Sequence, residues 1–135
     1  MDLQDVKTDL DAAEEGVFFP FGEDCRIKIA AWNNPRHLKF LRSIYQKHGR
    51  KIDAGALNDA QADDLMRPQW SFIIKDWEGL TEEGEALEFN SDVLFSLVAN
   101  PQYKAFFNKI ASIAKEEENF RVQNIQDLGE SLPTI

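Results

Sequence analysis

The chain contains few of the residues that support thiol, metal or phosphate chemistry. Its single cysteine, Cys25, excludes an intramolecular disulfide and a zinc site built on thiolates. The two histidines, His37 and His48, lie about 16 Å apart along a predicted helix, which is too far for them to share a metal ion. We interpret both as surface residues. Phosphate-loop, GxSxG and HExxH motifs are absent, so we expect neither catalytic residues nor a cofactor.

Long apolar runs and an excess of positive charge are also missing. No segment is apolar enough to span a bilayer, and the first residues are acidic, unlike those of a signal peptide. The formal net charge is −9, which disfavours binding to nucleic acid or to an anionic membrane. We therefore expect a soluble cytoplasmic protein that has neither of these partners.

The aromatic content is sufficient for one hydrophobic core. Ten Phe, three Trp and two Tyr occur among 135 residues, a length that suits one domain. Residues 1–15 carry six acids and one base, so we predict a flexible acidic arm there. A single globular domain is predicted for residues 16–128, followed by a flexible tail at residues 129–135.

A β-hairpin is predicted over residues 17–31. An aromatic, β-branched run begins at Val17, and Gly22 lies in the predicted turn between the two strands. Residues 25–30 then alternate apolar and charged side chains, which places Cys25, Ile27 and Ile29 inward. Pro20 cannot donate a backbone hydrogen bond, so the first strand should lie at a sheet edge.

The remainder, residues 34–128, is predicted to be helical. Asn34-Pro35 begins a helix that runs to about His48 and ends at Gly49. It carries the only strongly basic stretch of the chain, with six bases and no acid between residues 36 and 51. Those bases are Arg36, Lys39, Arg42, Lys47, Arg50 and Lys51.

A second long helical region is predicted from Asp53 to Trp77, interrupted at Pro68. Trp70, Ile73, Ile74 and Trp77 recur at helical spacing there. Three further helices are predicted, one after the cap at residues 90–92, one after Asn100-Pro101 and one over residues 119–128, closed by Gly129. The predicted fold class is thus mainly α, with an N-terminal β-hairpin followed by a bundle of about five helices.

The run Asp76-Trp77-Glu78-Gly79-Leu80 and its acidic, Gly-containing continuation resemble a signature of bacteriophage tail assembly chaperones. The Arg-Ile-Lys-Ile-Ala strand and the following Asn-Asn-Pro helix start are similar to that family as well. The resemblance spans roughly residues 16–120. Pro68 departs from the family pattern, because it lies within the helix that usually leads into the motif.

The resemblance implies a non-catalytic binding function in long-tailed phages. Such chaperones bind the tape measure protein in the host cytoplasm, help recruit tail tube protein subunits and are absent from the mature virion. Many are also made in a longer form by ribosomal frameshifting. Whether this chain self-associates is left open by the sequence.

A partner-binding surface is predicted near the signature and on the helix after Asn100. The predicted surface consists of Trp77, Asp76, Glu78, Leu80, Phe106 and Phe107. Two other functions stay open: a structural tail or head-completion protein, and an acidic DNA mimic that inhibits a host nuclease. The six-base helix disfavours the mimic, because a mimic needs a continuous negative surface.

Overall fold

The computed structural model describes residues 1–131 of the chain. Six α-helices and a small N-terminal antiparallel sheet in this part confirm the predicted class, mainly α with an N-terminal hairpin. Four short 3-10 turns cover Leu3–Val6, Arg67–Phe72, Pro101–Tyr103 and Glu117–Phe120. The main elements are α1 (Leu10–Glu15), β1 (Val17–Pro20), β2 (Arg26–Ile29), α2 (Pro35–Asp53), α3 (Asp59–Met66), β3 (Ile74–Glu78), β4 (Thr81–Glu82), β5 (Glu85–Ala86), α4 (Ser91–Ala99), α5 (Lys104–Lys115) and α6 (Val122–Ser131).

The N-terminal hairpin forms as predicted and acquires a third strand. β1 pairs antiparallel with β2, which in turn pairs antiparallel with β3, so the strand order is β1-β2-β3. Pro20 lies on the edge strand β1, where its missing N–H costs no ladder bond. Ile27 and Ile29 of the central strand are fully buried, as the alternating pattern predicts.

The predicted helix over residues 53–77 is wrong in its last part. α3 ends at Met66, a 3-10 turn follows, and Ile74 to Glu78 form the strand β3. The register between β2 and β3 shifts at Lys28/Ile29, pairing Ile29 with Ile74 and Lys28 with Asp76. This irregularity inserts one residue, so Ile74 and Trp77 are both buried although three positions apart. The spacing of Ile74 and Trp77, which led to the prediction of a helix, is thus the spacing of buried residues on a bulged strand.

Two glycines were wrongly assigned as helix ends. α2 begins at Pro35 and is capped by the Asn34 side chain as predicted, but the helix continues through Gly49 to Asp53. Gly49 is buried beneath the ring of Tyr45. Likewise α6 covers Val122–Ser131 rather than residues 119–128, so Gly129 lies within it. Residues 132–135 of the predicted tail lie outside the described part of the chain.

Residues 1–15 are bonded to the rest of the molecule. The N–H of Ala31 donates to the carbonyl oxygen of Ala13 at 2.7 Å, and the N–H of Asp9 donates to that of Phe120 at 2.8 Å. The Ala13 side chain belongs to the core. These contacts attach residues 1–15 to the rest of the fold. The flexibility predicted for this arm stays a prediction.

The core lies between the sheet and the helices α4 and α5. Helix α5 packs against β2, and α4 packs against the 3-10 turn that precedes β3. Fully buried side chains come from every one of these layers, including Ile27, Ile29, Ile73, Ile74, Leu94, Ile110 and Phe120. In residues 1–131 no helix is both long and apolar enough to cross a membrane.

Candidate partner-binding site

An apolar groove opens between the β4–β5 hairpin and the helices α4 and α5. Its cavity volume is about 230 Å³. Small-molecule pockets usually measure about 300–1,000 Å³, so the groove suits one or two inserted side chains better than a cofactor. Its lining comprises Leu80, Thr81, Glu82, Leu87, Leu97, Tyr103, Phe106 and Phe107.

The hairpin wall of the groove is set by two glycine-dependent turns. Glu83 and Gly84 both have positive φ angles, as in the two-residue turns that join twisted antiparallel strands. Gly79 has φ +76°, and a Cβ built there would lie 1.9 Å from the carbonyl oxygen of Asp24. Only glycine permits this close approach, which fixes where Leu80 enters the groove.

The opposite wall is built by the start of α5 and the turn before it. Asn100 caps that turn through a bond from the N–H of Gln102 at 3.0 Å. The rings of Phe106 and Phe107 meet edge to face at 5.2 Å between centroids. Phe107 is buried, whereas Phe106 is partly exposed toward the groove. This wall therefore exposes part of the Phe106 ring to the groove, and that ring packs against the buried Phe107.

The two walls are joined by one side-chain bond across the groove rim. The hydroxyl of Tyr103 donates to the carboxylate of Glu82. This hydrogen bond raises the pKa of Tyr103, with smaller contributions from desolvation and the negative charges of the hairpin. Tyr103 thus ties the hairpin to the helical layer.

The structure places Trp77 below the groove rather than on its surface. We predicted an exposed aromatic residue at a helix end, and that premise is wrong: Trp77 lies on β3 with 6% of its surface exposed. Its Nε1–H donates to the carbonyl oxygen of Leu87 at 2.8 Å, and its ring contacts Phe89 edge to face at 4.7 Å. Trp77 therefore anchors the segment that carries Leu87 into the groove.

The predicted acids Asp76 and Glu78 point away from that core. They pair in register with Lys28 and Arg26, whereas Trp77 pairs with the buried Ile27. Glu78 accepts a hydrogen bond from Arg26 at 2.7 Å, and this bond lowers the pKa of Glu78. Of the six predicted residues, Leu80, Phe106 and Phe107 are brought together, while the other three are not in the groove lining.

Sequence reasoning missed Leu87, Leu97, Tyr103 and Glu82 as groove residues. Tyr103 shares helical phase with Phe106 and Phe107, which is a usable signal. Leu87 is held at both of its backbone groups: its N–H donates to the carbonyl oxygen of Leu80 at 2.9 Å, and its carbonyl oxygen accepts from Trp77.

His37 is a buried residue, which corrects its interpretation as a surface histidine. It is 0% exposed, its Nδ1 accepts the N–H of Asn33 at 2.9 Å, and its Nε2 lies 3.0 Å from Oε1 of Gln69. Since Nδ1 is an acceptor, the neutral ring must carry its hydrogen on Nε2 and donate it to Gln69. Burial lowers the pKa of His37, which the bond to Gln69 only partly opposes. These contacts give His37 a structural role.

Cys25 is half-buried against the core, and burial raises the pKa of its thiol. Within residues 1–131 no cluster of three or more His, Cys, Asp or Glu side chains is arranged to hold a metal ion.

A protein-family model described as YdaY prophage protein matches residues 32–130. The match covers well over half of the chain, from just before α2 into the last turn of α6, and includes both walls of the groove. No curated protein and no solved structure matches the chain.

Proposed function

Because this chain belongs to the YdaY prophage protein family and is therefore phage-derived, we propose that it is a tail assembly chaperone. In this proposal it binds the tape measure protein and helps recruit tail tube subunits by non-catalytic recognition. It acts in the host cytoplasm and is absent from the mature virion. The observation that carries the proposal is the apolar groove beside an acidic hairpin.

The groove is suited to a helical partner with an apolar stripe. Helix-in-groove recognition places a few apolar side chains of a partner helix into a hydrophobic cleft. The exposed parts of Leu80 and Phe106 provide such a cleft. A tape measure protein, as the resemblance implies, is a long helical chain whose apolar stripes need cover until assembly.

Charge at the rim favours a particular kind of helix. Glu82, Glu83 and Glu85 lie on the β4–β5 hairpin next to the apolar lining. A partner helix with basic residues flanking its apolar stripe would match both features. The net charge of −9 would also keep such a complex soluble.

Co-expression with the tape measure protein of the same prophage tests the proposal. We expect that partner to become soluble and to co-purify with the wild-type chain. Leu80→Ser and Phe106→Ser should weaken this capture while circular dichroism shows an unchanged fold. Leu10→Ser is the matched control, because Leu10 is 76% exposed on α1 and does not line the groove.

Two results would count against the chaperone. If the wild-type chain leaves the tail protein insoluble and unbound, the proposed recognition does not occur. If mass spectrometry of purified virions finds the chain in stoichiometric amounts, the structural alternative replaces the chaperone.

A further inference from the structure

The N-terminal arm, residues 1–15, meets the rest of the molecule across a cleft lined by charges of opposite sign. Three acids of helix α1 form one wall, and one base each from β2, α2 and β3 forms the other. The cleft has a volume of about 380 Å³. We call its six residues the charged cleft: the acids Asp11, Glu14 and Glu15, and the bases Lys28, Arg36 and Lys75.

One ion pair joins the two walls of the charged cleft directly. Nε of Arg36 lies 3.1 Å from Oε1 of Glu14. Within residues 1–131 no other acid of the cleft makes a direct ion pair with a base of the opposite wall. The remaining charges therefore attract one another across the open space of the cleft, where salt ions can screen them.

Lys75 depends on the negative charge that the arm supplies. Its side chain is half-buried, and burial lowers the pKa of Lys75. The charges of Arg36 and Lys28 lower this pKa as well, whereas the charge of Glu14 opposes the decrease. Without the arm, three neighbouring cations would thus repel one another with no acid of α1 beside them.

The arm joins the sheet directly against these bases. A Cβ built at Gly16 would lie 3.1 Å from Cγ of Lys28 and 3.2 Å from Cγ of Lys75. β1 begins at the next residue, Val17. The C-terminal end of α1 is therefore held beside the basic wall, and Gly16 is the point at which the arm leaves the sheet.

Apolar packing contributes little to the attachment of α1. Ala13 is its only buried residue, and Leu10 is 76% exposed. A helix of six residues is also too short to be stable by itself. A further cleft of about 450 Å³ lies between Ala13 and the end of α5. Segments with so little buried apolar surface are those that open locally in a folded protein.

Three backbone hydrogen bonds complete the attachment of the arm. Two of them are the bonds of Ala13 and Asp9 already described, and in the third the N–H of Val122 donates to the carbonyl oxygen of Lys7 at 2.9 Å. In a detached arm these groups would bond to water, so the net contribution of each bond is small. The charges of the cleft are therefore a substantial part of what holds the arm.

We propose that the arm is an electrostatic latch, which detaches from the fold as a unit when the charges of the cleft are screened or removed. Detachment pivots at Gly16, breaks the three backbone bonds and exposes the basic wall of the cleft. The sheet and the remaining helices stay folded, because Ala13 is the only arm residue among the described members of the core cluster.

The N–H groups of Ala30 and Ala31 are adjacent reporters of this opening. Ala31 donates to Ala13 of the arm, whereas Ala30 donates to the carbonyl oxygen of Ile73 at 2.7 Å, outside the arm. Native-state hydrogen exchange of the full chain, followed by NMR at low and at high sodium chloride concentration, compares the two. We expect high salt to accelerate exchange at Ala31 roughly two- to fivefold, because exposed ion pairs are individually weak but several charges act together here. Exchange at Ala30 should stay unchanged.

Charge variants test the same latch at low salt. Glu14→Gln should accelerate exchange at Ala31 by a similar factor and reduce its dependence on salt. Glu88→Gln is the matched control, because it removes the same charge from an exposed glutamate outside the cleft. Combining Glu14→Gln with Arg36→Gln should have less than the sum of the two single effects, since both substitutions remove one ion pair.

The proposal is overturned if salt accelerates exchange at Ala30 and Ala31 equally, because the whole fold then opens together. It is also overturned if salt or Glu14→Gln leaves exchange at Ala31 unchanged or slows it, because the backbone bonds and Ala13 then hold the arm without the charges. None of the six cleft residues lines the apolar groove, so the chaperone proposal does not depend on this result.

Discussion

The indole Nε1–H of Trp77 donates to the carbonyl oxygen of Leu87 at 2.8 Å and so joins β3 to the strand-like segment that follows the hairpin. Trp77, the aromatic residue of the Asp76-Trp77-Glu78-Gly79-Leu80 run, therefore has a structural role. The signature places Leu80 and Leu87 at the groove, and Trp77 holds them there from below.

Replacing Trp77 by Phe should destabilise the fold without abolishing it. The substitution removes the donor to the partly buried Leu87 carbonyl oxygen, and the net contribution of such a hydrogen bond is about 0.5–1.5 kcal/mol. Urea denaturation should report a lower midpoint with an unchanged m-value. Trp32→Phe is the control, since it removes the same atoms from an indole that is partly buried, whereas that of Trp77 is buried. Equal losses in the two variants would contradict a special role for the bond to Leu87.

Gly79→Ala should be far more damaging than Gly84→Ala. Both glycines have positive φ, so each alanine pays a backbone penalty of about 1–2 kcal/mol. Only at Gly79 does the new methyl group meet backbone, the carbonyl oxygen of Asp24 at 1.9 Å, whereas it meets nothing within 4 Å at Gly84. Thermal unfolding of both variants measures the difference. Similar melting temperatures would show that the turns at Asp24 and Gly79 do not touch in solution.

The hairpin could be predicted from the sequence because its signal is local. Alternation over residues 25–30 and the apolar run from Val17 fix two strands without reference to the rest of the chain. The strand β3 could not be predicted from the sequence, because the bulge opposite Lys28 and Ile29 gives Ile74 and Trp77 the spacing of a helix. A local sequence pattern shows only the spacing at which buried residues recur. Here a helix and the bulged strand β3 give the same spacing, so the pattern cannot tell them apart.

The glycine errors have a similar physical origin. Gly49 resembles a helix stop, yet the Tyr45 ring covers it and α2 continues to Asp53. Sequence reasoning found Leu80 and Phe106 but not Leu87, whose N–H binds Leu80 across the hairpin and whose carbonyl oxygen binds the distant Trp77. Side chains positioned by their own helix or turn can be predicted from local patterns, whereas the bond from Trp77 depends on the tertiary fold.

Stability should fall as the pH drops below about 6.5 because of His37. Burial lowers the pKa of His37 in the folded state, so the unfolded chain, with a pKa near 6.5, binds its proton first. The contribution of His37 to the free energy of unfolding is fully present above the pKa of the unfolded state. It is lost as the pH falls toward the pKa of the folded state. Protonation would also set Nδ1–H against the N–H of Asn33.

Chemical denaturation at a series of pH values measures this slope. His37→Gln should be less stable at pH 7 and should show a flatter profile over the same range. His48→Gln, which changes the only other histidine, is the control for the loss of an imidazole as such. A wild-type slope in His37→Gln would assign the pH dependence to other groups.

Removing residues 1–15 should lower the free energy of unfolding, although composition alone predicts a flexible arm. The deletion breaks the bonds from Ala31 to Ala13 and from Asp9 to Phe120 and uncovers core surface at Ala13. Removing residues 1–6 alone is the control, because that part has no buried residue. Denaturation of both truncated chains provides the measurement. Equal stability of both forms would support the flexible arm instead.

Tyr103→Phe should loosen the β4–β5 hairpin while the rest of the fold stays intact. The phenol is the donor to Glu82, and without it the two walls of the groove lose their side-chain link. Hydrogen exchange at the hairpin amides should accelerate, while exchange in β2 and α5 stays slow. Tyr45→Phe is the matched control, because it removes the only other tyrosine hydroxyl, which binds Asp53 at the far end of α2. If the groove binds a partner helix, Tyr103→Phe should also weaken capture, because a mobile wall must be ordered on binding. Unchanged hairpin exchange in Tyr103→Phe would mean that apolar packing alone holds this wall in place.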